Sequence, residues 1–171
     1  IDTGITSHLD LPDSLSVHAF YQATEKLALM SDVTWTNWSK VQSIPITFDN
    51  PYQPDDALVL EYHDTIRVSL GASYDVTDDL TLRFGAAFDE SPQPDDTRGF
   101  RIPDANQWIV GAGAKWAPRP WLDVGLGYTF YYLEEADIDV STPTGAGTSN
   151  RATGPSNSNA HLFVVGGSIR F

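Results

Sequence analysis

The last residues of the chain, from His161 to Phe171, alternate strictly between two kinds of side chain. One set of alternate positions is mostly apolar and ends on Phe171, and the other is smaller, more polar and ends on Arg170. A period of two places these sets on opposite faces of a β-strand. A strand with two such different faces, closed by an aromatic residue, is typical of bacterial outer-membrane barrels. We therefore expect the bilayer, rather than a protein core, to cover the apolar face.

Six further segments alternate in the same way. Each has roughly the length of 9–11 residues that a tilted strand needs to cross a membrane. Together with the last segment they predict an all-β chain, an antiparallel transmembrane β-barrel with about seven strands. The six segments are residues 14–22, 27–38, 65–74, 80–89, 107–116 and 122–133.

The connections between these segments alternate in length. Residues 23–26, 75–79 and 117–121 are short turns, whereas residues 39–64, 90–106 and 134–160 are predicted to be long loops because they are rich in Pro, Asn, Ser and Gly. Short turns on one side and long loops on the other are typical of outer-membrane barrels. Residues 21–27 and 74–80 are near copies, each with an aromatic residue, a polar turn and a new strand, as in a meander of hairpins.

The second face of the strands carries glycine and charge. Charged side chains are tolerated toward the lumen of a barrel and are costly toward lipid. We therefore predict that the charged residues of this face point to a lumen. The glycines of the same face would then be explained by strong curvature of the barrel or by other material that shares the lumen. The predicted lumen-facing residues are Asp32, Arg67, Arg83 and Lys115. We expect the cations among them to pair with Asp32, Asp89 and a plug.

Composition excludes some classes of protein and leaves others open. The 171 residues include no Cys and no run of about 20 apolar residues that could form a membrane helix. A net charge of −13 argues against a nucleic-acid partner. The acids are concentrated in the predicted long loops, where they are either solvated or bridged by divalent cations to anionic lipid. Mean hydropathy is −0.25, which leaves a soluble all-β domain open, because the hydropathy of alternating strands averages out.

The number of strands also leaves alternatives. A barrel in a single bacterial chain closes with an even number of strands. Residues 3–11 alternate weakly and could supply an eighth strand, giving a small self-contained outer-membrane barrel or a lipocalin-like ligand binder. Otherwise the chain is one part of a larger barrel.

No arrangement of residues predicts catalysis or metal binding. The four histidines lie on four separate segments and share no metal-ligand spacing. No nucleophile elbow is present. We therefore expect no enzyme activity, no cofactor and no metal.

The most specific motif is a loop that follows a strand ending in Phe88-Asp89. It continues as Ser91-Pro92-Gln93-Pro94, then Thr97-Arg98, then Ile102-Pro103-Asp104 before the next strand. This loop resembles the FadL/TodX family of outer-membrane transporters for long-chain fatty acids and other hydrophobic compounds. Two shorter stretches agree, together with Phe171 at the end of the last strand. They are Leu11-Pro12-Asp13-Ser14 before a strand and Thr36-Asn37-Trp38-Ser39 after one.

The resemblance implies that residues 1–171 are the C-terminal part of one transmembrane barrel domain, half of fourteen strands, with the plug and the N-terminal strands upstream. It implies a location in the outer membrane of a Gram-negative bacterium. The implied partners are outer-membrane lipid, lipopolysaccharide and a hydrophobic small molecule, with the protein acting as a monomer. The implied ligand-binding residues are Lys40, Arg98 and Arg101, in or beside the outer loops. For Arg98 two roles stay open, since it can hold a ligand carboxylate or hold its own loop through Asp95, Asp96 and Asp104.

Overall fold

The computed structural model describes residues 4–99, 103–143 and 147–170. Its main feature is one seven-stranded antiparallel sheet, in the order β10-β9-β8-β7-β6-β3-β2. These strands are β2 (Ser14–Gln22), β3 (Leu27–Thr36), β6 (Thr65–Thr77), β7 (Leu80–Asp89), β8 (Gln107–Arg119), β9 (Leu122–Pro143) and β10 (Ser149–Ile169). Each of the seven strands overlaps one of the seven predicted segments. The prediction of an antiparallel all-β chain is therefore confirmed.

The short turns explain why consecutive strands are neighbours. In the first turn, the Thr24 hydroxyl accepts hydrogen bonds from the backbone N–H groups of Lys26 (3.2 Å) and Leu27 (3.0 Å). In the second, the Thr77 hydroxyl accepts from Asp79 (3.3 Å) and Leu80 (3.1 Å). A threonine side chain that bonds to the backbone two and three residues later stabilises a tight turn. Residues 21–27 and 74–80, which are near copies in sequence, therefore form the same kind of Thr-stabilised hairpin turn.

The strand register separates two faces of the sheet. One row of paired positions runs through Val33, Val68, Phe88, Trp108 and Tyr132, and we call this side the apolar face. The opposite side, which we call the polar face, contains Asp32, Arg67, Arg83 and Lys115, because each of these is paired with a residue of that same face. The four residues therefore share one face, as strand parity predicts.

The predicted long loops contain more strand than the sequence indicated. β9 and β10 run on past the other strands and pair as far as Pro143 and Ser149, so residues 134–160 are mostly a projecting hairpin and the prediction of a loop is wrong there. Ala136, Ile138 and Val140 alternate with acidic or polar residues, as expected for a strand. The Pro, Asn and Ser residues in the first half of β10 made its strand pattern hard to recognise in the sequence. The predicted loop 39–64 likewise contains the strands β4 (Ser43–Phe48) and β5 (Asp56–Val59), and a short 3₁₀ helix at Trp38–Lys40 leads into it.

The predicted eighth strand lies elsewhere. β1 (Ile5–Ser7) pairs with β4, in a separate three-stranded sheet of order β1-β4-β5. The seven-stranded sheet is not closed among the described residues, since β2 and β10 are its two ends. Residues 3–11 therefore do not complete a self-contained eight-stranded barrel, and that alternative is not favoured. None of the described residues forms a helix long and apolar enough to cross a membrane.

Candidate functional site

The buried side chains of the protein lie mostly in its loops. Among the described residues, Ala28 is the one buried residue away from the loop ends of the strands. The others are Val41, Leu60, Thr65, Ser91, Gln93, Arg98, Ala105, Ala136 and Ile138. We call residues 37–64, 90–99, 103–106, 134–143 and 147–160 the cap, and the remainder of the seven-stranded sheet the wall. The cap therefore has an interior of its own, whereas the wall exposes both faces.

Arg98 occupies the centre of the cap, with 6% of its surface exposed. Its guanidinium donates to the backbone carbonyl oxygens of Asp104 (Nε, 2.8 Å), Gln93 (Nη2, 3.2 Å) and Asp137 (Nη1, 3.5 Å). Nη1 also donates to Asp95 Oδ1 at 2.5 Å. These bonds join two parts of one loop to the projecting hairpin, so most of the donors of Arg98 are used to hold the cap together.

The other polar residues of the motif form a second set of bonds. The Ser91 hydroxyl donates to Asp104 Oδ2 (2.9 Å), and the Ser91 backbone N–H donates to Asn106 Oδ1 (3.0 Å). The Asp104 backbone N–H donates in return to Gln93 Oε1 (3.2 Å). Side chains of the loop therefore satisfy the backbone N–H groups of Ser91 and Asp104, which have no strand partner here.

Glu134 connects the cap to the wall. Its two carboxylate oxygens accept hydrogen bonds from Asn106 Nδ2 (3.1 Å) and from the Trp108 indole Nε1 (2.9 Å). The Trp108 ring packs on Phe88 with ring centroids 4.8 Å apart. Sequence analysis did not single out Glu134, because a carboxylate at the start of an acidic loop has no distinguishing pattern.

Residues 39–64 pack beside this loop. Thr97 Oγ1 donates to the Leu60 carbonyl (2.9 Å), and the His63 backbone N–H donates to the Pro92 carbonyl (3.0 Å). Trp38, at the start of the 3₁₀ helix, makes an edge-on contact with the Tyr62 ring at 5.8 Å between centroids. Burial, helped by the negative charge of Asp104, raises the pKa of the Tyr62 hydroxyl. Two separate loops therefore share one interior.

A cavity of about 590 Å³ lies inside the cap. Arg98 and His63 line it together with a larger number of acids. The acidic lining residues are Asp64, Glu90, Asp95, Glu134, Glu135 and Asp137. This excess of carboxylates makes the cavity a poor environment for an anionic group. The described residues contain no group of His, Asp and Glu arranged to hold a metal ion.

The other two predicted ligand-binding residues are not at this centre. Lys40 forms an exposed ion pair with Asp13, and this contact lowers the pKa of the Asp13 carboxyl. Arg101 lies outside the described residues, as do Ile102 of the motif and Phe171. The structure therefore brings Arg98 into contact with Asp95 and Asp104, as the loop-holding role predicts, and gives Lys40 a different partner.

The polar face of the wall carries a series of contacts between acids and basic side chains. Asp32 Oδ2 lies 2.7 Å from His18 Nδ1, and Asp32 Oδ1 accepts a hydrogen bond from the Thr34 hydroxyl (3.1 Å). Arg67 lies 3.9 Å from Asp89. Asp89 was predicted as a partner of the three cations as a set, and in the structure Arg67 is the one nearest to it. His18 was missed as the partner of Asp32, although its position directly opposite Asp32 follows from counting back through the first turn.

Nearer the short turns, Asp123 forms ion pairs with two basic side chains. Lys115 Nζ lies 3.3 Å from Asp123 Oδ1, and Arg170 Nη2 lies 2.6 Å from Asp123 Oδ2. The sequence analysis did not identify Asp123 as a partner of Lys115. The strand register explains both contacts. Lys115 is opposite Gly125, two residues from Asp123 on the same face, and Asp123 is opposite Ser168, two residues from Arg170.

Comparison with known proteins agrees with this architecture. Residues 4–171 match the family described as outer membrane protein transport protein (OMPP1/FadL/TodX). The chain is 36% identical over 122 residues to outer membrane protein P1 of Haemophilus influenzae, covering 71% of this chain and 26% of that protein. It is 28% identical over 134 residues to the long-chain fatty acid transport protein of Escherichia coli strain K12, covering 77% of this chain and 29% of that protein.

Solved structures give the same result for the fold. The crystal structure of a Pseudomonas aeruginosa FadL homologue superposes with a TM-score of 0.84 at 26% identity, over 96% of this chain and 37% of that one. The chain thus spans between about a quarter and two fifths of the length of the proteins it is compared with here. One conclusion follows from three observations. The strands have membrane length and two different faces, the long-loop side carries a folded cap, and the family match covers residues 4–171. The chain belongs to the OMPP1/FadL/TodX family of outer-membrane transport proteins, and its place is the outer membrane of a Gram-negative bacterium.

Proposed function

We propose that residues 1–171 form the C-terminal part of a single transmembrane barrel that carries hydrophobic compounds across the outer membrane. In this proposal the two end strands, β2 and β10, pair with strands outside this chain to complete about fourteen, and a plug fills the lumen. The single observation that supports it best is the separation of the two faces. Exposed Val17, Phe84 and Phe163 on the apolar face suit lipid, whereas charged residues on the polar face suit a lumen.

The cap is placed on the extracellular side, because outer-membrane barrels have their long loops there and short turns in the periplasm. Its bonded interior makes it a fixed cover over one end of the wall rather than a set of free loops. A hydrophobic compound gains little from an open aqueous pore, since it must leave water to bind. A covered lumen with apolar contacts is therefore the arrangement that suits such a substrate.

Long-chain fatty acids are the substrate class we propose first, with other hydrophobic compounds next. The name of the Escherichia coli relative as a long-chain fatty acid transport protein supports this choice. Lys40 and Arg101, in or beside the outer loops, would meet the carboxylate of an arriving acid. Arg98 would contribute to ligand binding through the shape of the cap, because most of its donors already bind loop carbonyls. Lipopolysaccharide and lipid would contact the apolar face of a monomer.

Transport in liposomes tests this proposal. The protein that carries this chain would be purified from outer membranes, reconstituted, and given radiolabelled oleate or toluene outside the vesicles. We expect protein-dependent uptake of at least one of them and little ion conductance. Stable ion conductance like that of an open porin, without uptake of either compound, would contradict the proposal.

A further inference from the structure

A histidine lies among the apolar side chains of the wall, on the face that suits lipid. His161 of β10 is paired with Phe130 of β9, and Phe130 belongs to the apolar face because it is two residues from Tyr132. Residues 161–169, the last part of β10, have roughly the length of 9–11 residues that a tilted strand needs to cross a membrane. His161 is also one step nearer the short turns than the row that joins Trp108 and Tyr132. Because Trp and Tyr are enriched where the membrane meets water, both observations place His161 at the outer interface of the bilayer.

The imidazole of His161 is oriented by its neighbours. Tyr128 Oη lies 2.8 Å from His161 Nδ1, and the ring centroids of Tyr128 and Phe130 lie 6.0 and 4.9 Å from that of His161. When the Tyr128 hydroxyl donates to Nδ1, the proton of a neutral imidazole is on Nε2, which is then a hydrogen-bond donor. Nε2 has no hydrogen-bond partner among the described residues. A donor at the edge of the hydrocarbon is costly unless a polar acceptor satisfies it, so an acceptor in the lipid would be stabilised here.

Two apolar hollows lie beside this pair on the same face, with volumes of about 770 and 450 Å³. They exist because the small side chain of Ala112 lies between the rings of Phe84 and Tyr128 in the strand register. None of the described residues that line the two hollows is charged. The hollows therefore suit hydrocarbon chains. The larger one is also lined by Leu70, Ala86, Val110 and Phe130, and the smaller one by Leu82, Leu126, Phe163 and Val165.

We propose that the apolar face binds one lipid of the outer leaflet here, with two acyl chains in the hollows and an acyl carbonyl accepting a hydrogen bond from His161 Nε2. The occupant is lipid A, the acylated part of the lipopolysaccharide in that leaflet. This inference rests on the proposed function, since it requires the wall to span the outer membrane with the cap outside. A carbonyl is favoured over a phosphate as the acceptor, because the lining of the hollows brings no cation to hold an anion.

Native mass spectrometry of the full protein, released from detergent and titrated with purified lipid A, tests this site. The variants are His161→Phe, which keeps a ring without a donor, and His161→Gln, which restores a donor. Tyr128→Phe removes the hydroxyl that orients His161. The matched control is Tyr132→Phe, because Tyr132 is on the same strand and the same face but lines neither hollow.

We expect His161→Phe to weaken lipid A binding about fivefold, because a lost hydrogen bond between neutral groups has roughly that effect on affinity. His161→Gln should keep part of the affinity, Tyr128→Phe should lose less than His161→Phe, and Tyr132→Phe should resemble the wild type. Diphosphoryl and monophosphoryl lipid A should lose affinity for His161→Phe by the same factor, since the acceptor is a carbonyl.

Three results would overturn the inference. If His161→Phe binds lipid A as tightly as the wild type does, Nε2 has its partner elsewhere, in a neighbouring strand of the barrel. If only the diphosphoryl form loses affinity, the ring holds a phosphate rather than a carbonyl. If the wild type binds dioleoylphosphatidylethanolamine as tightly as lipid A, the hollows are not a site for the outer-leaflet lipid. In all three cases the proposed function stands, because its failure is measured separately as absent uptake of oleate and toluene by liposomes.

Discussion

The wall and the cap of this protein obtain their order from different surroundings. In the wall, side chains on both faces of the sheet are exposed, including 55% of Phe84 on the apolar face and 48% of the Arg67 side chain on the polar face. In the cap, Val41, Leu60 and Arg98 are buried, and the Leu60 carbonyl and the Arg98 guanidinium have hydrogen-bond partners within the cap. The cap thus has an interior of its own, whereas the exposed faces of the wall fit the lipid and the lumen that we propose for them.

The balance of acidic and basic side chains also differs between the cap and the wall. The cap cavity is lined by an excess of carboxylates, whereas acids and bases are equally numerous at the short-turn end of the wall. The comparison teaches that the wall pairs its charged side chains across neighbouring strands, whereas the cap gathers carboxylates around one cavity.

The largest expected effect tests whether the apolar face contacts lipid. Phe84→Arg in the middle of β7 should lower the free energy of unfolding by roughly 2–4 kcal/mol, the cost of an arginine near the bilayer midplane. Urea unfolding in lipid vesicles measures it. Ala86→Arg and Ala87→Arg make a matched pair, since these neighbours lie on opposite faces. Equal midpoints for that pair would show that the two faces do not differ in solvent.

The second effect tests whether the cap folds as a unit around Arg98. Arg98→Met should destabilise the cap by about 2–3 kcal/mol, because it leaves buried carbonyl groups without donors. Hydrogen exchange followed by mass spectrometry should show faster exchange in residues 90–99 and 134–143 and unchanged exchange in β6 and β7. Arg151→Met is the control, as Arg151 pairs with Asp139 at the exposed end of the hairpin. Faster exchange throughout the wall would mean that the two regions are not independent.

The smallest effect is the pH response of the cap surface. The Ser39 backbone N–H donates to Asp64 Oδ1 at 3.0 Å and lowers the pKa of Asp64 below its ordinary value of 3.8. Because the folded state favours the charged carboxylate, this contact stabilises the cap above pH 3.8 and is lost as the pH falls through the lowered pKa. The amide chemical shift of Ser39, from selectively labelled protein, should titrate in that range.

Asp64→Asn is the control for this titration, and its Ser39 amide should not respond to pH. A Ser39 shift that titrates in wild type with a midpoint above 3.8 would show that the hydrogen bond does not stabilise the charged carboxylate.

The sequence predicted the wall well because local rules determine it. Alternation with a period of two assigns each residue to a face, and short turns with Thr24 or Thr77 set the register between neighbouring strands. Parity therefore places Asp32, Arg67, Arg83 and Lys115 on one face from the sequence alone, and the strand register agrees.

The cap was much less predictable. Proline, glycine and polar residues indicated loops over 134–160, yet most of that segment pairs as a hairpin that contributes Ala136 and Ile138 to a shared interior. The position of β1 beside β4 rather than at the sheet end likewise depends on contacts between distant segments. No local pattern encodes such contacts.

The sequence by itself determined the strands, their two faces and the family, since these depend on side-chain order over a few residues and on one specific loop motif. Tertiary structure alone decided that Arg98 bonds to carbonyls from separate segments, that Lys40 pairs with Asp13, and that Asp123 is shared by Lys115 and Arg170. The physical reason is that an ion or hydrogen bond is strong only within a few ångströms. Distances that short between residues far apart in the chain exist only once the sheet and the cap have folded.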